Sequence, residues 1–337
     1  MDRMPIPDSV CEPRWRRRRS YKKRAAKRGE VVRNTAVLQV TLAVAALAAS
    51  GCIALRPYAD VAAALPAEQL VEVDGRRVHV EIGGDGSPLL LLHGFGGSTF
   101  SWRRVSEGLA GLRRVVAIDL NGFGWTERPH DPEAYTLAGQ ERLVLGVADR
   151  LGLPRFDLAG HSYGGGLALF LAARHPERVR SLILVDAAMP AYGTLRRSEL
   201  FANRAVARFW AKSFALTRRR VRSGLRESYA DDAKVDAGLV RAYLERLRVE
   251  GAGDAFYGLS RPTGAAPDQV DLAAIRQPTL LVWGGADALI AAAVGRKSAG
   301  VIPSAQFVEI PGCGHIPMEE CPEAFLAAVE PFLASRN

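Results

Sequence analysis

The sequence predicts an α/β fold, a mainly parallel eight-stranded sheet with helices on both faces. Three observations carry this. Short apolar runs recur along the chain, and some, such as Leu89-Leu90-Leu91-Leu92, are apolar at every position, as strands buried on both faces are. Helical patterns fill most of the intervals between the runs, which is the alternation that builds a parallel sheet with crossover helices. One interval, from Met189 to about Gln277, holds helical patterns but no convincing strand and is too long for a plain connection.

The elements follow in order. Leu70–Val73 and Arg77–Ile82 alternate at period two across Asp74-Gly75, a hairpin turn signal. The strand near 88–93 runs into His93-Gly94-Phe95-Gly96-Gly97-Ser98, whose glycines let a backbone N–H face developing negative charge. The expected donors are the N–H groups of Phe95 and Tyr163. A phosphate cradle would carry Gly-x-x-x-x-Gly-Lys or a spaced Gly-x-Gly-x-x-Gly, and the chain has neither. A strand near 114–119 follows. Arg155–Ala159 then alternates into Gly160-His161-Ser162-Tyr163-Gly164, beyond which Leu167–Ala173 continues as an apolar helix. A serine inside Gly-x-Ser-x-Gly at a strand-to-helix turn sits in a strained conformation that projects its hydroxyl above the sheet edge. Strands near 180–185, 278–283 and 305–310 complete the set.

A hydroxyl is a poor nucleophile at neutral pH, so Ser162 requires a base and the base an orienting acid. Of six histidines, His79, His93 and His161 lie in or beside strands, His130 follows Pro129 in a loop, and His175 ends a helix, where it suits the C-cap. His315, in the Gly/Pro loop Pro311-Gly312-Cys313-Gly314-His315-Ile316-Pro317, is placed to present an imidazole to a site built elsewhere. For the acid, Thr279–Trp283 ends in Gly284-Gly285-Ala286-Asp287, a carboxylate just past a strand C-terminus. Asp287 is therefore the expected acid. Asp186, which ends Leu182–Val185, is the competitor.

These motifs resemble the α/β-hydrolase fold of serine esterases and lipases over roughly residues 68 to 335. The residues that carry the resemblance are His93-Gly94-Phe95-Gly96-Gly97 with Trp102, Asp119-Leu120-Asn121-Gly122-Phe123-Gly124-Trp125-Thr126, the Ser162 turn, Trp283–Asp287, and Gly314–Pro317 with Glu320-Cys321-Pro322. Asn121 and Thr126 depart from the family's usual proline and serine. The resemblance implies a helical cap at about 190–275, inserted after the sixth strand, with Phe201, Phe209, Trp210, Phe214, Phe256 and Tyr257 lining or packing it. It also implies a serine hydrolase acting on lipophilic carboxylic esters, with Trp102, Phe123 and Trp125 near the substrate. Relatives that open epoxides or cleave carbon–halogen bonds carry aspartate at the turn, and Ser162 argues against those reactions. A carbon–carbon bond hydrolase with a similar triad is the runner-up, and a ligand-binding protein on a retained hydrolase fold is the non-enzymatic alternative.

Charge is distributed unevenly. The chain of 337 residues carries +9, but residues 1–33 hold 12 basic and 4 acidic side chains, leaving 33 basic against 32 acidic in the rest. The body is near neutral, and nucleic-acid binding loses its main support. The basic tail precedes an uncharged stretch at 34–55 that reads as an export element, and Ala48-Ala49-Ser50-Gly51-Cys52 resembles a lipobox. Lipidation at Cys52, an uncleaved membrane anchor, and plain secretion or an inert tail compete. The first two place the catalytic domain in the cell envelope with membrane lipid as a partner of the N-terminus. The tail is long for a charged leader, which points to a start downstream of Met1. Cys11 and Cys52 belong to the leader, and Cys313 and Cys321 flank His315. The latter two read as unpaired small residues, with a pairing that stiffens the loop as the alternative. No His/Cys/carboxylate cluster has metal-ligand spacing, and the chemistry requires no cofactor.

Overall fold

The computed structural model describes residues 53–189, 204–211, 215–260 and 270–336. The basic tail, Cys11, Cys52, nearly all of the 34–55 stretch, Phe201 and Phe214 lie outside the described residues. Among the described residues no helix is long and apolar enough to cross a membrane.

Eight strands form one sheet in the order β1-β2-β4-β3-β5-β6-β7-β8. They are β1 (Leu70–Val73), β2 (Arg76–Gly83), β3 (Pro88–Leu92), β4 (Arg114–Ile118), β5 (Phe156–His161), β6 (Val179–Val185), β7 (Thr279–Gly284) and β8 (Ala305–Ile310). β2 runs antiparallel to β1 and β4, and every other pairing is parallel. The hairpin closes where expected, with Val73 opposite Arg76 and both Asp74 (φ 50°) and Gly75 (φ 71°) left-handed. A two-residue turn of that hand matches the twist of the flanking strands.

Between and beyond the strands lie α1 (Tyr58–Ala64), α2 (Ser106–Ala110), α3 (Leu137–Arg150), α4 (Tyr163–Arg174), α5 (Arg204–Trp210), α6 (Arg218–Ser228), α7 (Ala237–Leu247), α8 (Ala252–Ser260), α9 (Ala292–Ala299), α10 (Pro317–Glu320) and α11 (Pro322–Ala334). Helices α5 to α8 fall between β6 and β7, in the interval that showed no strand pattern. Alternate residues of the central strands feed two separate cores. Leu90, Leu92, Leu158 and Leu182 join one cluster, and Leu89, Leu91, Ala159 and Ile183 the other. Successive side chains of a strand point to opposite faces, so a run of four leucines serves both layers at once.

The loop Asp119–Thr126 is held despite its two departures. Thr126 Oγ1 donates to the Asp119 carbonyl (2.6 Å), and Asn121 Nδ2 donates to the Ala134 carbonyl (2.9 Å). The buried Asp119 carboxylate accepts from the N–H groups of Thr99 (2.6 Å) and Trp125 (2.8 Å) and pairs with His79 Nδ1 (2.8 Å). Burial opposes its ionisation, but His79 and these N–H donors outweigh it and hold the carboxyl at about 2.

Candidate active site

Ser162, Asp287 and His315 each reach the site from beyond the carboxyl end of a strand, where open α/β sheets place their ligands. Ser162 follows β5 directly and caps α4. Its φ of 48° and ψ of −115° are strained for a residue with a Cβ. The turn closes only because its flanks are glycine. A Cβ on Gly164 would stand 2.5 Å from the Leu92 carbonyl oxygen, and one on Gly160 would overlap the Gly164 carbonyl. The motif's two glycines thus answer two close approaches, β3 against Gly164 and the first turn of α4 against Gly160.

Asp287 lies past β7 and His315 past β8. His315 Nε2 is 2.9 Å from Ser162 Oγ, and His315 Nδ1 is 2.7 Å from Asp287 Oδ2. The other carboxylate oxygen of Asp287 accepts from the N–H groups of Leu289 (2.7 Å) and Ile290 (3.0 Å), which fixes its plane. Burial would raise this carboxyl, but its hydrogen bond to His315 and the attraction between them leave it below the ordinary value. The three predicted residues are therefore one continuous hydrogen-bonded relay.

Asp186 stands beside Asp287 rather than beside the imidazole. Burial first, then the Asp287 charge, pushes its carboxyl well above the ordinary range. Its Oδ1 accepts from the Gly284 N–H (2.9 Å), while Oδ2 is buried without an acceptor's partner. Burial and the neighbouring Asp287 charge both favour the protonated form of Asp186.

His161 packs its ring 5.0 Å from that of His315 and donates from Nε2 to the His315 carbonyl (2.8 Å). Burial and then the neighbouring imidazole push it down to about 3, so it stays neutral. His93 is likewise neutral, because burial lowers it and its Nε2 accepts from the Leu120 N–H (3.0 Å).

Ser162, His315, Phe95 and Tyr163 line one cavity of about 490 Å³ with mostly apolar walls, among them Val221, Leu225, Leu247 and Ile290. Tyr163 opens α4, so its N–H lies in the first turn of a helix. The Phe95 N–H has no protein acceptor among the described residues. Arg220 and Glu227 are the charged residues of the lining.

Three residues expected near the substrate are not in that lining. Trp102 is fully buried against Phe325 of α11, ring centroids 6.3 Å apart, and so is core. Phe123 is also buried, its ring edge-on to Phe95 at 5.4 Å and near Tyr163 at 6.5 Å. It backs the two expected oxyanion donors without reaching the cavity. Trp125 lies under the guanidinium groups of Arg246 (5.2 Å) and Arg56 (5.9 Å) and lines a different cavity. All three share motif segments with site residues, but their side chains leave those segments on other faces. Trp210 and Phe256 stack on one another at 4.9 Å between α5 and α8, as packing residues.

Cys313 and Cys321 are joined in a disulfide, Cα atoms 6.3 Å apart, which corrects the expectation of two free thiols. The chain turns back through α10, and that reversal brings the two Cβ atoms together. Among the described residues two clusters place ligand-type atoms within 4.8 Å of one another. One contains these bonded sulfurs with Glu320, and the other is Asp186, Asp287 and His315, already engaged in the relay.

Sequence reasoning missed Glu319 and gave Glu320 a place in the family motif but no role. Glu320 accepts from the N–H groups of Gly314 (2.7 Å), Asp231 (2.8 Å) and Ala230 (3.1 Å). Glu319 accepts from Tyr229 Oη (2.9 Å), Arg103 Nη1 (2.7 Å) and Tyr243 Oη. His315 itself donates its N–H to the Ser228 carbonyl (2.7 Å). Two adjacent carboxylates thus tie the histidine loop to the segment between α6 and α7. The available signal was an acidic pair one residue beyond Ile316-Pro317. Glu320→Ala would leave three N–H groups unpaired at a cost of about 1–3 kcal/mol each. We expect it to lower both urea stability and kcat, with Glu320→Gln, which keeps an acceptor oxygen, closer to the parent in both.

The profile of the alpha/beta hydrolase fold matches residues 87–322. The chain belongs to the α/β-hydrolase family. A 2-hydroxymuconate semialdehyde hydrolase from Pseudomonas putida is 34% identical over 280 residues, covering 78% of this chain and 92% of that protein. Among solved structures, a meta-cleavage product hydrolase from Pseudomonas fluorescens IP01 superimposes with a TM-score of 0.67 at 24% identity, covering 80% of this chain and all (100%) of that one. A membrane phospholipase A, described as a bacterial virulence factor, superimposes with a TM-score of 0.63 at 29% identity and covers 93% of this chain and 98% of its own.

Proposed function

We propose that this α/β-hydrolase is a serine hydrolase that cleaves lipophilic carboxylic esters through an acyl-enzyme. The observation that carries the reading is the Ser162–His315–Asp287 relay opening into an apolar cavity. His315 Nε2 takes the hydroxyl proton as Ser162 Oγ attacks the carbonyl carbon, and the Asp287 carboxylate stabilises the imidazolium that forms. The N–H groups of Phe95 and Tyr163 hold the oxyanion. His315 then returns the proton to the departing alkoxide, and water repeats the sequence to release the acid.

A second reading is carbon–carbon bond hydrolysis of a vinylogous diketone acid by the same relay. Relatives that hydrolyse 2-hydroxymuconate semialdehyde and 2-hydroxy-6-oxo-2,4-heptadienoate favour it, and Arg220 in the cavity lining is a cation that such a carboxylate would need. The apolar character of the remaining walls and the likeness to a membrane phospholipase support the ester reading. We place the catalytic domain in the cell envelope, held by Cys52 lipidation or by an uncleaved 34–55 anchor. The basic leader, the apolar stretch and the Cys313–Cys321 disulfide support that placement.

The test is fluorophosphonate labelling followed by parallel assays on p-nitrophenyl esters of graded acyl length and on a 2-hydroxy-6-oxo-dienoate. Labelling at Ser162 with ester turnover that rises with acyl length is the expected result. Labelling with diketone cleavage alone would establish the second reading, and no labelling would leave a binding protein.

A further inference from the structure

The first described residues do not hang free of the fold. The Arg56 N–H donates to the Arg248 carbonyl (2.8 Å), and the Glu250 N–H donates to the Arg56 carbonyl (2.9 Å), so this segment forms a parallel bridge to the connection between α7 and α8. The Tyr58 N–H donates to the Glu250 carboxylate (3.0 Å). Beside this junction lies a second cavity of about 440 Å³, lined by Arg56, Arg218, Arg241, Arg248, Trp125 and Glu245 among others. Four arginines therefore line one space with a single acidic residue. Arg248 is held by the Leu216 carbonyl (Nε 2.9 Å, Nη2 2.8 Å) and Arg56 by the Asp60 carbonyl (2.8 Å). Backbone carbonyls orient these two groups without neutralising them. Among the described residues no carboxylate forms an ion pair with any of the four.

Helix α6 explains how the charges come to be there. Val221 and Leu225 of this helix are buried, and Arg220 and Gly224 line the catalytic cavity. Its remaining arginines point elsewhere: Arg218 lines the second cavity and, with Arg219, Arg222 and Arg226, a third of about 540 Å³. One helix thus forms a wall of the catalytic cavity and a wall of the basic one. Guanidinium forks match the geometry of a phosphate's oxygens, and a site with several of them gathered and unpaired favours an anion of that shape.

We propose that the cavity between Arg56, Arg218, Arg241 and Arg248 is a phosphate-group binding site. Its two sources are the headgroup of an anionic phospholipid and a free phosphate. Because Arg56 directly follows the apolar 34–55 stretch, a headgroup bound here would set the catalytic cavity beside a lipid surface. The proposal does not depend on the chemistry at Ser162.

The test uses the full chain carrying Ser162→Ala, which prevents turnover, in an uncharged detergent. It is titrated calorimetrically with dihexanoyl phosphatidylglycerol below its critical micelle concentration and, separately, with inorganic phosphate. Arg218→Gln with Arg241→Gln is compared with the charge-matched control Arg142→Gln with Arg155→Gln, two exposed arginines remote from the cavity lining. Thermal melts confirm that both remain folded. Removing two charge-assisted contacts should weaken one saturable site roughly tenfold or more, while the control leaves it unchanged. Tighter binding of the phosphatidylglycerol than of phosphate would identify the headgroup as the source, and the reverse a free phosphate. Equal affinities in the two double variants for both ligands would overturn the site.

Discussion

Ser162→Ala is expected to lower kcat by several orders of magnitude, up to about 10⁶, with His315→Ala close behind. The relay explains why the two losses should be similar and not additive. His315 acts only through the 2.9 Å contact to Ser162 Oγ, so removing either partner removes the same proton transfer. Stability should respond differently. Ser162 already holds φ at 48°, and alanine carries the same Cβ, so the backbone strain is nearly unchanged and the melting temperature should move little. His315→Ala removes an imidazole that is packed against His161 and bonded to Asp287, so it should lower stability as well. The measurements are single-substrate kinetics on the best substrate from the panel and thermal unfolding of all three proteins, with the double variant included. Full turnover by the Ser162→Ala protein would end the mechanism, and additive losses in the double variant would show that serine and histidine do not act as one unit.

The residues that were legible in the sequence are those whose identity is forced by backbone geometry. Gly164 is required by the approach of β3, Gly160 by the approach of the first turn of α4, and Asp74-Gly75 by a left-handed turn. The four leucines of β3 are required by burial on both faces. Each of these is a local constraint, written within a few residues. Ser162, His315 and Asp287 were legible because each follows the carboxyl end of a strand at the same edge of one sheet. The features that were misread depend on where a side chain points after the chain has turned. Trp102 and Trp125 sit in the right segments and face the closing helix and the Arg56–Arg246 pair. The Cys313–Cys321 bond depends on the reversal through α10, which eight positions of spacing do not disclose. Glu319 and Glu320 look like the acidic first turn of an exposed helix. They are buried because their partners, Tyr229, Ala230, Asp231 and Tyr243, arrive from more than seventy residues earlier.

Asp287→Asn and Asp186→Asn should separate sharply, although the two carboxyl groups are neighbours. Asp287 is the charged member. It accepts from His315 Nδ1–H, and that hydrogen bond selects the tautomer whose Nε2 can take the serine proton. An asparagine amide would present a donor to Nδ1, favour the opposite tautomer and offer no charge to the imidazolium. We expect kcat to fall by about 10³–10⁴. Asp186 is the member whose protonated form burial favours, so an amide at 186 keeps the acceptor to the Gly284 N–H and adds no charge beside Asp287. We expect Asp186→Asn to keep kcat within about tenfold of the parent, since one of its roles is replaced group for group. Asp186→Ala differs, because it leaves the Gly284 N–H unpaired and a gap beside a buried charge, and it should lower stability by about 1–3 kcal/mol. Kinetics and urea unfolding of the three variants decide the assignment. If Asp186→Asn lost activity as Asp287→Asn is expected to, the charge would reside on the pair as a whole, and Asp186 would share the orienting role.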